Sequence, residues 1–202
     1  MQLALWLFAS YLLGAIPTSY LVVRLVKGED LRRLGSGNLG ATNLYRTLGW
    51  RYAIPVAVFD LLKGAVPVKV FGPLAGDGTL IPLLLGIAAF LGHVFSVFLR
   101  FRGGKGVATG AGIVLGLAPG AFLLALSAWV LILAFSGYVS LASIVAALLL
   151  PPAVYVLEPA RRPLLWLFVV LAILIVFFHR ANIKRLLSGT EHRFGRHATA
   201  RS

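Results

Sequence analysis

Cysteine is absent from the 202-residue chain, which excludes disulfides, thiol nucleophiles and Cys-held metals. Acidic residues are nearly as scarce, with six Asp+Glu against 19 Lys+Arg. Paired carboxylates for acid–base work are therefore not in view, and four His with six acids show no metal-ligand spacing. Charge of either sign makes up 12% of the residues and 59% are hydrophobic; the mean hydropathy is +0.92. A soluble domain of this length cannot cover so much apolar surface, so the bilayer is the expected solvent. Residues 2–23 carry no charge and follow no basic segment, which predicts a retained first helix and not a cleaved signal. Residues 106–157 contain no Asp, Glu, Lys or Arg.

Further apolar runs lie at 52–71, 79–99 and 164–178. Runs of this length predict helices, because a barrel needs short alternating strands. Pro119-Gly120 and Ser136-Gly137 are candidate breaks that cut the charge-free stretch into three. The net charge of +13 is concentrated in segment 24–51, loop 100–105 and the tail from 179, which together hold 15 of the 19 basic residues. Basic residues in short loops argue against nucleic acid and for the cytoplasmic side of a membrane. The tail shares that side with the loop only if 106–157 crosses an odd number of times. The expectation is one all-α domain over 1–202, a polytopic helical bundle with seven transmembrane helices. Its N-terminus is expected outside and its C-terminus in the cytoplasm. Three crossings of roughly 15–18 residues are short for a ~30 Å hydrocarbon core and require a locally thin bilayer.

Three of the basic segments are unlike ordinary connecting loops. The first holds Ser36-Gly37-Asn38-Leu39-Gly40-Ala41-Thr42-Asn43, followed by Arg46. Gly37 and Gly40 let backbone approach a ligand, and successive N–H groups can cup a phosphate. Ser36, Asn38, Thr42 and Asn43 add hydrogen bonds, and Arg46 a charge suited to phosphate. The second, Arg102-Gly103-Gly104-Lys105-Gly106-Val107-Ala108-Thr109, sets glycines and a Lys before a helix, a natural anion site. Walker spacing is missing, so nucleotide hydrolysis is not supported. The third runs from His179 through Asn182 and Arg185 to Glu191. On a helix His179 and Asn182 share a face, as do Asn182 and Arg185. Asp60 and Lys63, three apart in an apolar run, read as a structural pair, and His93 as a packed histidine. Ser140 and Ser143 either line the site or bond backbone. A set rich in donors and cations and poor in bases suits an anionic, already activated substrate.

Together, S-G-N-L-G-A-T-N at 36–43, R-G-G-K-G-V-A-T at 102–109 and H-R-A-N-I-K-R-L-L-S-G-T-E at 179–191 resemble the three signatures of the bacterial acyl-phosphate:glycerol-3-phosphate acyltransferases of the PlsY type. The resemblance covers the whole chain in length and order. It implies an inner-membrane enzyme, with its active site facing the cytoplasm, that acylates the sn-1 hydroxyl of glycerol 3-phosphate from acyl phosphate. The products are lysophosphatidic acid and phosphate, and no cofactor is implied. It places Ser36, Arg46, His179 and Asn182 in the reaction centre. Thr42 and Gly103, Gly104, Lys105 and Gly106 would hold acyl phosphate. Arg46, Lys105 and Asn182 would hold glycerol 3-phosphate, with Ser143 a further contact and Glu191 and Arg185 structural. Partners implied are the two substrates, membrane lipids and a neighbouring enzyme that makes acyl phosphate. The soluble acyltransferase pattern of His with Asp five positions on is missing: Phe98, Lys184, His197 and Ser202 follow the four histidines at that distance. An organic-phosphate transporter or a non-catalytic lipid-binding protein would also carry cationic loops on a helical bundle.

Overall fold

The computed structural model describes residues 2–78 and 80–194; the end of the basic tail, 195–202, lies outside the described residues. The elements are α1 (Gln2–Ala15), α2 (Thr18–Lys27), α3 (Ala41–Leu48), α4 (Trp50–Val66), α5 (Gly72–Ala75), α6 (Ile81–Val94), α7 (Val107–Leu117), α8 (Pro119–Ser136), α9 (Val139–Leu157), α10 (Leu165–Phe178) and α11 (Arg180–Leu187). A π-helical stretch, Pro67–Phe71, joins α4 to α5, and no strand occurs among the described residues. Ile81–Leu99, α8, α9 and Pro159–Phe178 are long and apolar enough to cross a membrane, and α1 and α2 pass together as a bent pair. Large apolar side chains face outward on α8, with Phe135 89% and Leu123 61% exposed. Such surface is stable only against lipid. The chain falls into two compact units, Met1–Leu117 and Ala118–Ser202.

In the first unit α1 packs on α6 and α4 on α7. Each pair meets through glycine. A Cβ on Gly92 would strike the Tyr11 carbonyl, one on Gly14 the Ala89 backbone, one on Gly64 the Thr109 carbonyl and one on Gly112 the Leu61 carbonyl. Small residues that let backbones touch are the usual membrane solution, because lipid removes the hydrophobic drive for association.

The first apolar run is not one helix. It breaks at Ile16-Pro17 and bends by 41° into α2. Proline has no N–H to continue the ladder and disfavours helix at the residue before it. The break is clamped by a buried ion pair on α4. Lys63 Nζ donates to Asp60 Oδ1 at 2.6 Å and to the Ile16 carbonyl at 2.5 Å, and Thr18 Oγ1 donates to the same Asp60 oxygen at 3.2 Å. Asp60 and Lys63 are 3% and 1% exposed, so neither charge has water as an alternative partner. Lys63→Ala would strand a buried carboxylate and should cost about 3–5 kcal/mol. Thermal unfolding in detergent checks this; a Tm equal to that of the parent would show the pair is not clamping the break.

In the second unit α9 packs on both α8 and α10. The expected breaks fall at helix ends. Pro119 opens α8, where its missing N–H is harmless, and Gly137 closes it at φ 73° with its N–H on the Leu133 carbonyl.

Candidate active site

The 36–43 loop is built around one side chain. Asn43, on the first turn of α3, is 1% exposed. Its Oδ1 accepts from the Ser36 N–H at 2.9 Å and its Nδ2 donates to the Leu34 carbonyl at 2.9 Å. The Gly37 N–H also returns to Leu34, at 2.9 Å, with Gly37 in the left-handed region at φ 70°. Asn43, expected to contact substrate, is thus engaged with the loop's own backbone. Ser36 stands exposed at the loop's surface, while Asn38, Gly40, Thr42 and Arg46 are half-buried along the loop and α3. Leu39 and Leu44 enter a core with Val23, Leu31, Val56 and Leu99. Leu99 lies just before the second loop, so one apolar core seats both.

That second loop turns back onto the end of α6. The Gly103 N–H donates to the Val94 carbonyl at 2.8 Å and the Gly104 N–H to the His93 carbonyl at 3.1 Å. These two amides are therefore engaged with protein. All three glycines have a packing reason. A Cβ on Gly103 would overlap the His93 carbonyl, one on Gly104 the His93 ring, and Gly106 sits at φ +78° against the Phe90 ring. The loop then runs through the half-buried Lys105 into α7, and the leading N–H groups of a helix have no intrahelical partner and suit an anion. Leu39, Gly103 and Gly104 line one small cavity together with Thr18, Asp60, Lys63, His93 and Ser96. His93 was legible in sequence only as a packed histidine, with nothing to tie it to the glycine loop.

In the second unit the helix breaks at His179 and resumes as α11. His179 is 3% exposed and its Nδ1 lies 2.7 Å from the Ile175 carbonyl. A carbonyl only accepts, so Nδ1 carries the proton and a neutral ring has its lone pair on Nε2. Glu191 gathers the surrounding groups: Ser140 Oγ donates to its Oε1 at 3.0 Å, Asn182 Nδ2 to the same oxygen at 2.7 Å, and Arg185 Nε to Oε2 at 2.7 Å. Burial alone would raise the Glu191 pKa, but the hydrogen bonds from Asn182, Arg185 and Ser140 outweigh it and hold the carboxyl below its ordinary value. Through these bonds Glu191 ties α11 to the start of α9. Ser143 donates to the Val139 carbonyl at 2.8 Å and accepts from Trp129 Nε1 at 3.1 Å, so its donor is already committed within the fold. No group of three or more His, Asp or Glu able to hold a metal occurs among the described residues.

The glycerol-3-phosphate acyltransferase family model matches residues 4–189. A glycerol-3-phosphate acyltransferase of Geotalea daltonii is 48% identical over 94% of this chain and 96% of its own. One of Geobacter metallireducens is 52% identical over the same shares, 94% and 96%. Two crystal structures of PlsY, an integral membrane glycerol 3-phosphate acyltransferase, are similar in fold. The glycerol 3-phosphate form gives a TM-score of 0.89 at 39% identity, covering 96% of both chains. The lysophosphatidic acid form gives 0.85 at 37% identity, again over 96% of both chains. By sequence over nearly its whole length and by fold, the chain belongs to the integral membrane glycerol-3-phosphate acyltransferase family.

Proposed function

We propose that the chain moves a fatty acyl group from acyl phosphate to the sn-1 hydroxyl of glycerol 3-phosphate, releasing lysophosphatidic acid and phosphate. The observation that carries this reading is the shared seating of the two basic loops: Leu39 and Leu99 enter one core, and Leu39, Gly103 and Gly104 line one cavity. Two phosphate-bearing substrates call for two cationic loops, here carrying Arg46 and Lys105. Acyl phosphate is a mixed anhydride with a good leaving group, which suits a chain with few bases. The similar solved structures carry glycerol 3-phosphate in one case and lysophosphatidic acid in the other.

In the step proposed, the sn-1 oxygen attacks the acyl carbonyl, the carbon–oxygen bond to phosphate breaks, and phosphate leaves with the electron pair. The hydroxyl proton goes to a phosphate oxygen, whose last pKa in comparable esters is near ~6. Arg46 and Lys105 offset the charge on the phosphates. Thr42, Gly37, Asn38, Gly40 and the start of α7 supply hydrogen bonds around the donor. Ser36, His179 and Asn182 orient the hydroxyl. Supplying purified protein with acyl phosphate or acyl-CoA, each with glycerol 3-phosphate, tests the reading. Lysophosphatidic acid is expected from acyl phosphate alone as donor; product from acyl-CoA and none from acyl phosphate would overturn it.

The topology that fits this chemistry has seven crossings, with the N-terminus outside, both loops and the tail cytoplasmic, and the enzyme in the bacterial inner membrane beside the source of acyl phosphate. The α7 crossing, 11 residues long, spans about 16 Å at 1.5 Å per residue and needs a thinned bilayer. Reporter tags at Lys27 and Gly104 should read cytoplasmic and one at Gly76 external; a reversed result at Gly104 would exclude this topology.

A further inference from the structure

We propose that His93 is a positioning residue for the reaction, its imidazole forming the floor that sets where the Gly103–Lys105 loop stands. The proposal rests on the reading that Lys105 and the first turn of α7 bind a substrate phosphate. Four observations carry it. The loop is hung from the end of α6, by the Gly103 N–H on Val94 and the Gly104 N–H on His93. Gly104 lies directly on the His93 ring: a Cβ there would overlap Nε2 and come within 3.2 Å of both Cδ2 and Cε1. His93, Gly103 and Gly104 line one cavity together with Asp60 and Lys63, the pair that clamps the α1–α2 break. The chain just past His93 is anchored as well, since Ser96 Oγ donates to the Ala15 carbonyl at 2.5 Å.

Such a seat has two faces with different chemistry. Under Gly103 it is main chain, the His93 carbonyl, and no side-chain change can move it. Under Gly104 it is a side chain, and its thickness sets the height of the loop. Lys105 follows immediately, so a shift at Gly104 passes directly to the ammonium and to the opening of α7. The role asks for a flat group of this size and for no proton transfer, so glutamine can fill it and alanine cannot.

The test uses full-length protein in detergent with five variants: Gly104→Ala, Gly103→Ala, His93→Ala, His93→Gln and the double His93→Ala/Gly104→Ala. KM and kcat are measured with acyl phosphate and with glycerol 3-phosphate. Gly104→Ala should raise the KM of one phosphate substrate by about 10–100-fold with a smaller change in kcat. His93→Ala should raise the same KM, and His93→Gln should return it toward the parent value. The double variant should be no worse than His93→Ala, because the new methyl occupies the space the ring has left. Gly103→Ala should be impaired whatever stands at 93. Multiplicative effects in the double variant would overturn the role of His93 while leaving the loop as a phosphate site. If neither KM moves in any variant, the phosphate reading of the loop fails and the proposal fails with it. Should Gly104→Ala not fold, the two His93 variants decide: an unchanged KM in His93→Ala, or equal loss in His93→Gln, contradicts the proposal.

Discussion

Replacing Arg46 by alanine is expected to lower kcat/KM by about 10²–10³-fold, the usual loss when one preorganised charge donor is removed from a developing anion. Arg46 sits in the last turn of α3, half-buried, on the helix whose first turn carries Asn43. Asn43 fixes the loop from Leu34 to Ser36 through its Oδ1 and Nδ2. The guanidinium therefore projects from a braced element, and on the proposed role it meets phosphate as a planar fork. Arg46→Lys keeps the charge and loses the fork, so it should recover only part of the activity. Phosphate release under initial-rate conditions, with Tm recorded for each variant, checks this. Activity within threefold of the parent in Arg46→Ala would remove this residue from the site.

His179→Ala is expected to lower kcat by about 10²-fold or more, the range for a positioned acid–base group, and yet to leave turnover that still requires both substrates. The structure fixes the imidazole by the 2.7 Å contact of Nδ1 with the Ile175 carbonyl. In the neutral ring Nε2 is then the acceptor, and on the proposed role it holds the attacking hydroxyl by its proton. If the proton finally passes to a phosphate oxygen, losing the ring removes orientation but not the acceptor. Single-turnover kinetics read the residual rate directly. A variant with no turnover above the uncatalysed reaction would make His179 the base itself and exclude substrate-assisted transfer.

Much of the fold was legible because membrane spans obey a coarse rule. Long apolar runs give helices, and the proline and glycines at 119–120 and 137 mark ends within a stretch that has no charges to mark them. The break at Ile16-Pro17 was not legible from hydropathy, since apolar residues continue on both sides and the proline lies inside the run. The pair Asp60–Lys63 could be read from spacing along one helix. Its partners Thr18 and the Ile16 carbonyl could not, because they are supplied by another helix through tertiary packing. The glycines at 103, 104 and 106 show the same limit in the site. Their clustering around Lys105 suggested a phosphate cradle, whereas each has a close neighbour, His93 or Phe90, that a sequence does not reveal. Asn43 and Ser143 had the right chemistry for ligands but are satisfied internally, which only their hydrogen bonds disclose. Glu191, the lone acid in a basic tail, suggested a salt bridge from sequence alone, whereas its further partners Asn182 and Ser140 are disclosed only by their hydrogen bonds.

On the proposed mechanism the acyl group passes directly from acyl phosphate to the sn-1 hydroxyl of bound glycerol 3-phosphate. This transfer is tested most directly by mixing purified protein with acyl phosphate labelled in its acyl chain, first alone and then with glycerol 3-phosphate. No label on the protein and no burst of phosphate are expected in the first stage. In the second, one lysophosphatidic acid is expected for each phosphate released. Stoichiometric label on Ser36 before glycerol 3-phosphate is added would contradict direct transfer.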